Sequence, residues 1–340
     1  MMKKVFLSAV LVFTIILCAS CGGAGYGGAE DEDQSRSGAE QREKSETDGG
    51  RESFFETEDN LTAPEDIEDA QAEVTESGTK GLSGTWTGYA PLPAITFDVN
   101  DPGNSRGLST EKRMYSYGVP KDEQPNIQSI NNQKFFSSCG YKAFAYDDKT
   151  KEKAVYLTFD CGYENGNTYK ILDVLEEKSV PAAFFCTIHH IESEPRLIAR
   201  IILGGNIVGN HSAYHPDFSE IDRERMAREI LTVENCLREK FGYSSEFFRF
   251  PKGNYSECSL ELVDSMGLSS VFWSSAYVDW NADEIKGADY AFKNVTSRLH
   301  PGAVILLHSV SADNAAAMGD IIDYARSKGY VFRSLNDYGK

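Results

Sequence analysis

From residue 154 onward, short runs rich in β-branched and aromatic residues alternate with segments whose apolar positions recur at helical spacing. The runs fall at 155–159, 182–187, 206–209, 247–250, 270–274, 303–307 and 330–333. The helical segments between them fall at 169–177, 196–203, 220–241, 260–266, 290–299 and 314–328, and Asp217 or Ser219 is placed to cap the long one. Strand alternating with helix predicts an α/β fold of about seven parallel strands rather than a sandwich of two sheets.

The polar residues add a positional signal. Asp160, His211, Arg249, Asp279 and His308 each stand at or just beyond the C-terminal end of a predicted strand. In a barrel those ends converge on one face, so the spacing predicts a single site built from five loops. Residues 81–150 carry Gly and Pro clusters and few apolar runs, and are expected to form an irregular extension packed on the barrel with no chemistry of its own.

The first eighty residues follow a different pattern. A short basic start is followed by a thirteen-residue apolar run from Val5 to Leu17, which fits the core of an export signal and is too short to span a bilayer. It ends in Cys18-Ala19-Ser20-Cys21-Gly22, which resembles the lipobox of bacterial lipoproteins, although Cys18 stands where that pattern usually has Leu. The expectation is a signal peptide over 1–21, lipid on Cys21, and a protein held on the outer face of the cytoplasmic membrane. Between Glu30 and Glu76 there are eighteen acidic and four basic residues, with Phe54 and Phe55 the only aromatics, so most of the formal net charge of −18 lies there. Such a stretch cannot bury enough apolar surface to fold, and residues 22–80 read as a self-repelling tether spanning about 40 Å or more, or as a solvated tail without a task. Without it the chain is close to neutral, which leaves no electrostatic footprint for nucleic acid.

Beyond the signal and anchor, five cysteines remain, Cys139, Cys161, Cys186, Cys236 and Cys258. An odd number cannot all pair, and no CxxC spacing is present, so at least one free or metal-bound thiol is expected.

Four short motifs carry candidate chemistry. Thr158-Phe159-Asp160-Cys161-Gly162 sets a carboxylate beside a thiol at a strand end, although an isolated Asp-X-Gly is more often a turn. Asn210-His211-Ser212-Ala213-Tyr214-His215-Pro216 holds two imidazoles four residues apart, able to grip one divalent cation, a spacing that surface histidines also reach by chance. Arg249-Phe250-Pro251-Lys252-Gly253 offers a guanidinium and an exposed backbone N–H, or a structural ion pair. Leu306-Leu307-His308-Ser309 leaves a histidine at the end of an apolar strand, where a satisfied core histidine is the plain alternative. His189 and His190 could touch ligand or be idle loop residues, and His300 reads as structural.

Taken in chain order with Asp279-Trp280, these motifs resemble the polysaccharide deacetylase (NodB-homology) family of carbohydrate esterases, over residues 151–338. The resemblance implies a distorted (β/α) barrel and a divalent metal, commonly Zn2+. Gly162-Tyr163-Glu164-Asn165-Gly166, Val271-Phe272-Trp273-Ser274 with Val278-Asp279-Trp280, Ser311-Ala312-Asp313-Asn314-Ala315 and upstream Tyr117-Gly118-Val119-Pro120 are similar to the muramic δ-lactam-forming deacetylases of endospore formers. That subgroup acts on N-acetylmuramic acid in peptidoglycan stripped of stem peptide.

The resemblance further implies roles. His211 and His215 would hold the metal, Asp160 would act as base, His308 as acid, and the Lys252 backbone N–H would help hold the oxyanion. Arg249 and Asp279 would tune the base and the acid, Leu306 would line the acetyl-methyl pocket, and Trp280 and Tyr163 would contact substrate. Cys161 stands where most of the family has a second Asp as metal ligand, so it would either ligate as a thiolate, at about 2.3 Å from zinc, or stand by as a spectator. N-acetylglucosamine in peptidoglycan or another surface glycan is the alternative substrate, and a non-catalytic glycan-binding lipoprotein is the alternative from outside enzymes.

Overall fold

The computed structural model describes residues 85–86, 89–116 and 118–340. The signal segment, Cys21, the acidic tether and Tyr117 lie outside the described residues.

In chain order the elements are β1 (Thr85–Trp86), β2 (Arg113–Met114), α1 (Ile127–Cys139), β3 (Ala143–Phe144), β4 (Ala154–Cys161), α2 (Asn167–Glu177), β5 (Ala182–Cys186), α3 (Ile188–Ser193), α4 (Pro195–Leu203), β6 (Ile207–Asn210) and α5 (Arg223–Phe241). They continue with β7 (Tyr243–Ser244), β8 (Phe247–Phe248), β9 (Asn254–Tyr255), α6 (Glu257–Ser265), β10 (Ser269–Val271), α7 (Ala288–Thr296), β11 (Ala303–His308), α8 (Ala312–Ser327) and β12 (Val331–Phe332).

All seven predicted strands and all six predicted helices are present, with bounds shifted by a few residues. The strands form one parallel sheet in the order β11-β4-β5-β6-β8-β10-β3, with β12 also paired to β4. The sheet curls until its far edge approaches its start, where single bridges join Ser275 to Ile305 and Tyr146 to Ala303. The result is an incomplete barrel, matching the expected distorted (β/α) architecture.

Side-chain alternation gives this barrel two cores. Val155, Leu157, Phe159 and Cys161 of β4 pack outward among Phe184, Cys186, Ile305 and Leu307 and the surrounding helices. Ala154 and Tyr156 point inward with Ala183, Phe185, Phe248, Val304 and Leu306. An even-numbered polar residue at the end of β4 or β11 is therefore delivered to the barrel mouth.

Two expectations need correction. The long helix α5 is capped by Asp222, whose carboxylate accepts the Arg225 N–H at 2.7 Å. Asp217 is engaged elsewhere, by Lys112 at 2.6 Å and the Asn254 amide at 2.6 Å, while the Ser219 hydroxyl donates to Asp217 at 2.5 Å. The segment upstream of the barrel is also more than irregular: α1, capped by Asn126, packs on it, and β3 is a further strand of the sheet, paired in parallel with β10.

Candidate active site

Arg249 is the anchor of the site. It follows β8, is fully buried, and its guanidinium lies over the Phe185 ring at 4.1 Å. Each of its nitrogens has a partner: Nε donates to the Val271 carbonyl at 3.0 Å, one terminal nitrogen to Asp160 Oδ1 at 2.8 Å, and the other to Thr158 Oγ1 at 2.8 Å. A buried cation is tolerable only when paired and saturated with acceptors, and here the whole fork is used. Burial alone would raise the Asp160 carboxyl, but the Arg249 guanidinium, by its charge and hydrogen bond, and the His308 imidazolium outweigh it and hold it below the ordinary carboxylate range.

His211 follows β6 and donates its Nδ1–H to the Arg249 carbonyl at 2.9 Å, which fixes the tautomer. Its Nε2 then presents a lone pair, 3.5 Å from the second Asp160 oxygen. The His215 ring stands next to it, with centroids 4.9 Å apart. Burial pushes both imidazoles down, His215 to about 4, so both are neutral, the form that binds cations. An oriented Nε2, a second neutral imidazole and a carboxylate are a donor set that fits a divalent metal.

On the other side stands His308, the last residue of β11. Its Nδ1–H donates to Asp279 Oδ1 at 2.7 Å. The other Asp279 oxygen takes the His308 main-chain N–H at 2.8 Å and the Asn314 amide at 2.6 Å, and Asn314 in turn accepts from the Tyr277 hydroxyl at 2.6 Å. Burial would lower the His308 pKa, but the charge of Asp279 and its hydrogen bond reverse this and leave it raised.

Cys161 does not join the two histidines. Because Asp160 points into the barrel, its neighbour on the same strand must point out, and the Cys161 thiol lies with Cys186 and His190 on the helix side of the sheet. Those three are the one set of three His, Cys or carboxylate donors within 4.8 Å of one another among the described residues, so the Asp160, His211 and His215 donors stand further apart than a closed ligand set. The structure thus favours the spectator reading of Cys161 at the catalytic cluster.

The site opens into a cavity of about 840 Å³ lined by Asp160, His211, His215, Lys252, Leu306 and His308, with Tyr163 and Trp280 at its rim. Trp280 is 50% exposed and its ring meets His308 edge-on at 5.8 Å. Ser212, His215 and Lys252 all hold left-handed backbone, at φ of 64°, 55° and 59°, a strain that clusters at functional turns. His300 is structural as expected, buried, with its Nε2 bonded to the Ser274 hydroxyl at 2.8 Å.

Sequence reasoning missed three supports. Thr158 and Asn314 stand inside motifs but gave no sign of the contacts just described. Tyr115 belongs to the upstream segment, where β2 pairs antiparallel with β9 and brings Met114, Tyr115 and Ser116 to the cavity wall. Gly253 makes this possible: it sits at φ 69°, and a Cβ there would stand 2.4 Å from the Tyr115 carbonyl oxygen.

Residues 147–271 match the polysaccharide deacetylase family. The chain is 42% identical, over 198 residues, to the peptidoglycan-N-acetylmuramic acid deacetylase PdaA of Bacillus subtilis, covering 58% of this chain and 75% of that one. The chain belongs to the polysaccharide deacetylase family. The solved structure of B. subtilis PdaA, a family 4 carbohydrate esterase, superimposes with a TM-score of 0.65 at 36% identity, over 68% of this chain and 98% of that one. A peptidoglycan-N-acetylglucosamine deacetylase from Bacillus cereus is 30% identical over 251 residues, 73% of this chain and 88% of that one. In this deacetylase the family match holds Asp160, His211, His215 and Arg249, while His308 lies beyond it, reaching the cavity at the end of β11 with Asp279 bonded to its ring from behind.

Proposed function

We propose that this deacetylase removes the acetyl group from N-acetylmuramic acid in peptidoglycan glycan, on the way to the muramic δ-lactam of spore cortex. The observation that carries the hydrolytic reading is the pair of opposed groups in one cavity: Asp160, kept ionised by Arg249, and His308, kept protonated toward neutral pH by Asp279. The choice of sugar rests on the relationship to PdaA.

Amide hydrolysis needs an activated water, a home for charge on the carbonyl oxygen, and a proton for a nitrogen that leaves poorly as an anion. Asp160 takes a proton from the attacking water as oxygen bonds to the acetyl carbon. The Lys252 main-chain N–H, presented by its left-handed turn, donates to the oxyanion that develops. His308 gives its proton to the sugar nitrogen as the C–N bond breaks, leaving acetate and a free amine. His211 and His215 would hold the divalent metal, Zn2+ being the best match to two imidazoles, and when bound it lowers the pKa of water and stabilises negative oxygen. Leu306, facing inward at the cavity, accommodates the acetyl methyl, and the exposed rings of Trp280 and Tyr163 stack on the glycan.

The setting follows from the N-terminus. We place the enzyme outside the cytoplasmic membrane, anchored by lipid on Cys21, with the acidic segment as spacer to the wall.

The test is acetate release from peptidoglycan with and without its stem peptides, with mass spectrometry of the digested glycan. Loss of acetyl from muramic acid in stripped glycan is the expected result. Loss from glucosamine instead would move the enzyme to the second reading, which the B. cereus relative favours. No acetate from either glycan, with metal bound, would leave only a binding role.

A further inference from the structure

The outward face of β4 holds a second donor cluster, independent of the deacetylase reading. Cys161 and Cys186 are register partners on adjacent strands, β4 and β5, with side chains on the same face. His190, on α3, closes the group from above, and the two thiols and an imidazole nitrogen all lie within 4.8 Å of one another.

His190 is the informative member. The residue is 0% exposed, and neither of its ring nitrogens has a partner at ordinary hydrogen-bond distance, the Tyr163 main chain giving it at most a weak contact. Buried polar groups are almost always satisfied, so an orphaned imidazole facing two thiols calls for a partner the chain itself does not supply. Next to it, Glu164 turns one carboxylate oxygen to the Gly166 and Thr168 amides, and its other oxygen is again buried without a partner. The two thiols face each other, and apart from that contact they reach only the carbonyls two residues behind them, at 3.8 Å for Cys161 and 3.5 Å for Cys186.

We propose that Cys161, Cys186 and His190 form a second, structural metal site for a thiophilic divalent cation of the Zn2+ class, separate from the catalytic histidines. Two thiolates and a neutral imidazole around a divalent cation make a neutral complex, which suits a dry interior where net charge is costly. Soft sulfur with nitrogen selects zinc over magnesium or calcium. Such a site joins β4, β5 and α3 on the far side of the sheet from Asp160. A disulfide between the two thiols would leave His190 unexplained, which is why the metal is preferred.

Because the cluster is buried, loading accompanies folding, so the full chain is refolded with Co2+ under reducing conditions and its spectrum recorded. Thiolate-to-Co2+ charge-transfer absorption is expected in the wild type and in the His211→Ala, His215→Ala double variant, and Zn2+ should bleach it. Cys186→Ser should abolish the band and His190→Gln should shift or weaken it. Absorption that survives Cys186→Ser but disappears in the double histidine variant would give Cys161 to the catalytic cluster and overturn the proposal. So would a wild type with no such band, whether its thiols titrate in full or fall two short through a disulfide. The double-variant spectrum keeps the trio intact, so a Cys186→Ser chain that fails to fold does not remove the test.

Discussion

Asp279 receives both the ring Nδ1–H of His308, at 2.7 Å, and the main-chain N–H of the same residue, at 2.8 Å. One carboxylate thereby fixes the orientation, the tautomer and the charge of the imidazole that faces the cavity. The remaining nitrogen, Nε2, is the only one left for substrate.

Asp279→Asn should therefore lower kcat by about 10²-fold, in the range lost when a proton-transfer group is misaligned. The pH profile supplies the sign. His308 must be protonated to act as an acid, and its pKa is raised, so activity persists above pH 6.5 and falls as pH rises through the folded value. Removing the Asp279 charge takes away the raising cause and leaves burial, so the alkaline limb moves to lower pH. A variant whose limb does not move would break the link between the two residues.

Arg249 serves fold and site at once, and its replacement should show both. Arg249→Lys keeps the charge but cannot reach Asp160, Thr158 and the Val271 carbonyl together. We expect deacetylation to drop by about 10²-fold or more and stability to fall by about 1–3 kcal/mol for each buried acceptor left without its donor. Denaturant titration and acetate release measure the two effects separately. Asp160→Asn should lose activity by about 10²–10⁴-fold and, by leaving the buried Arg249 cation without its counter-charge, stability by about 3–5 kcal/mol.

Chelation should silence the enzyme reversibly. Activity removed by a chelator is expected to return with Zn2+ in the wild type and not in His211→Ala, because that ring is the donor whose lone pair the Arg249 carbonyl aims at the cavity. Activity that resists prolonged chelation would exclude a metal from the reaction.

Trp280 is half exposed at the cavity rim. Trp280→Ala should raise KM for polymeric glycan by about 10–150-fold, the equivalent of losing about 1.5–3 kcal/mol of apolar burial, with kcat little changed. A matching fall in kcat would mean that the ring positions His308 rather than the sugar.

The strands were legible because each is a compact apolar run, and their ends were legible because a polar residue interrupts each run. That is enough to gather Asp160, His211, Arg249 and His308 from the sequence alone. The direction of Cys161 was legible too, by parity, since neighbours on a strand face opposite ways, but the side-by-side motif suggested a shared site. What the pattern could not show lies upstream. The α1 sequence, from Ile127 to Cys139, is mostly polar, its apolar Ile127, Ile130, Phe135 and Phe136 gather on no single helical face, and β3 is two residues long. Their order comes from what they pack against. Asn314 carried no signal either, because its role depends on α8 starting where it meets Asp279.

The strand β3 has a consequence for anyone who would trim this protein. Cutting the gene where the family likeness starts would strip a strand from the sheet's rim, bare the backbone of β10, and take away the wall that Met114 and Tyr115 give the pocket. The smallest portion able to work is thus expected to be longer than the stretch the family match covers, reaching back into sequence that carries none of the catalytic groups.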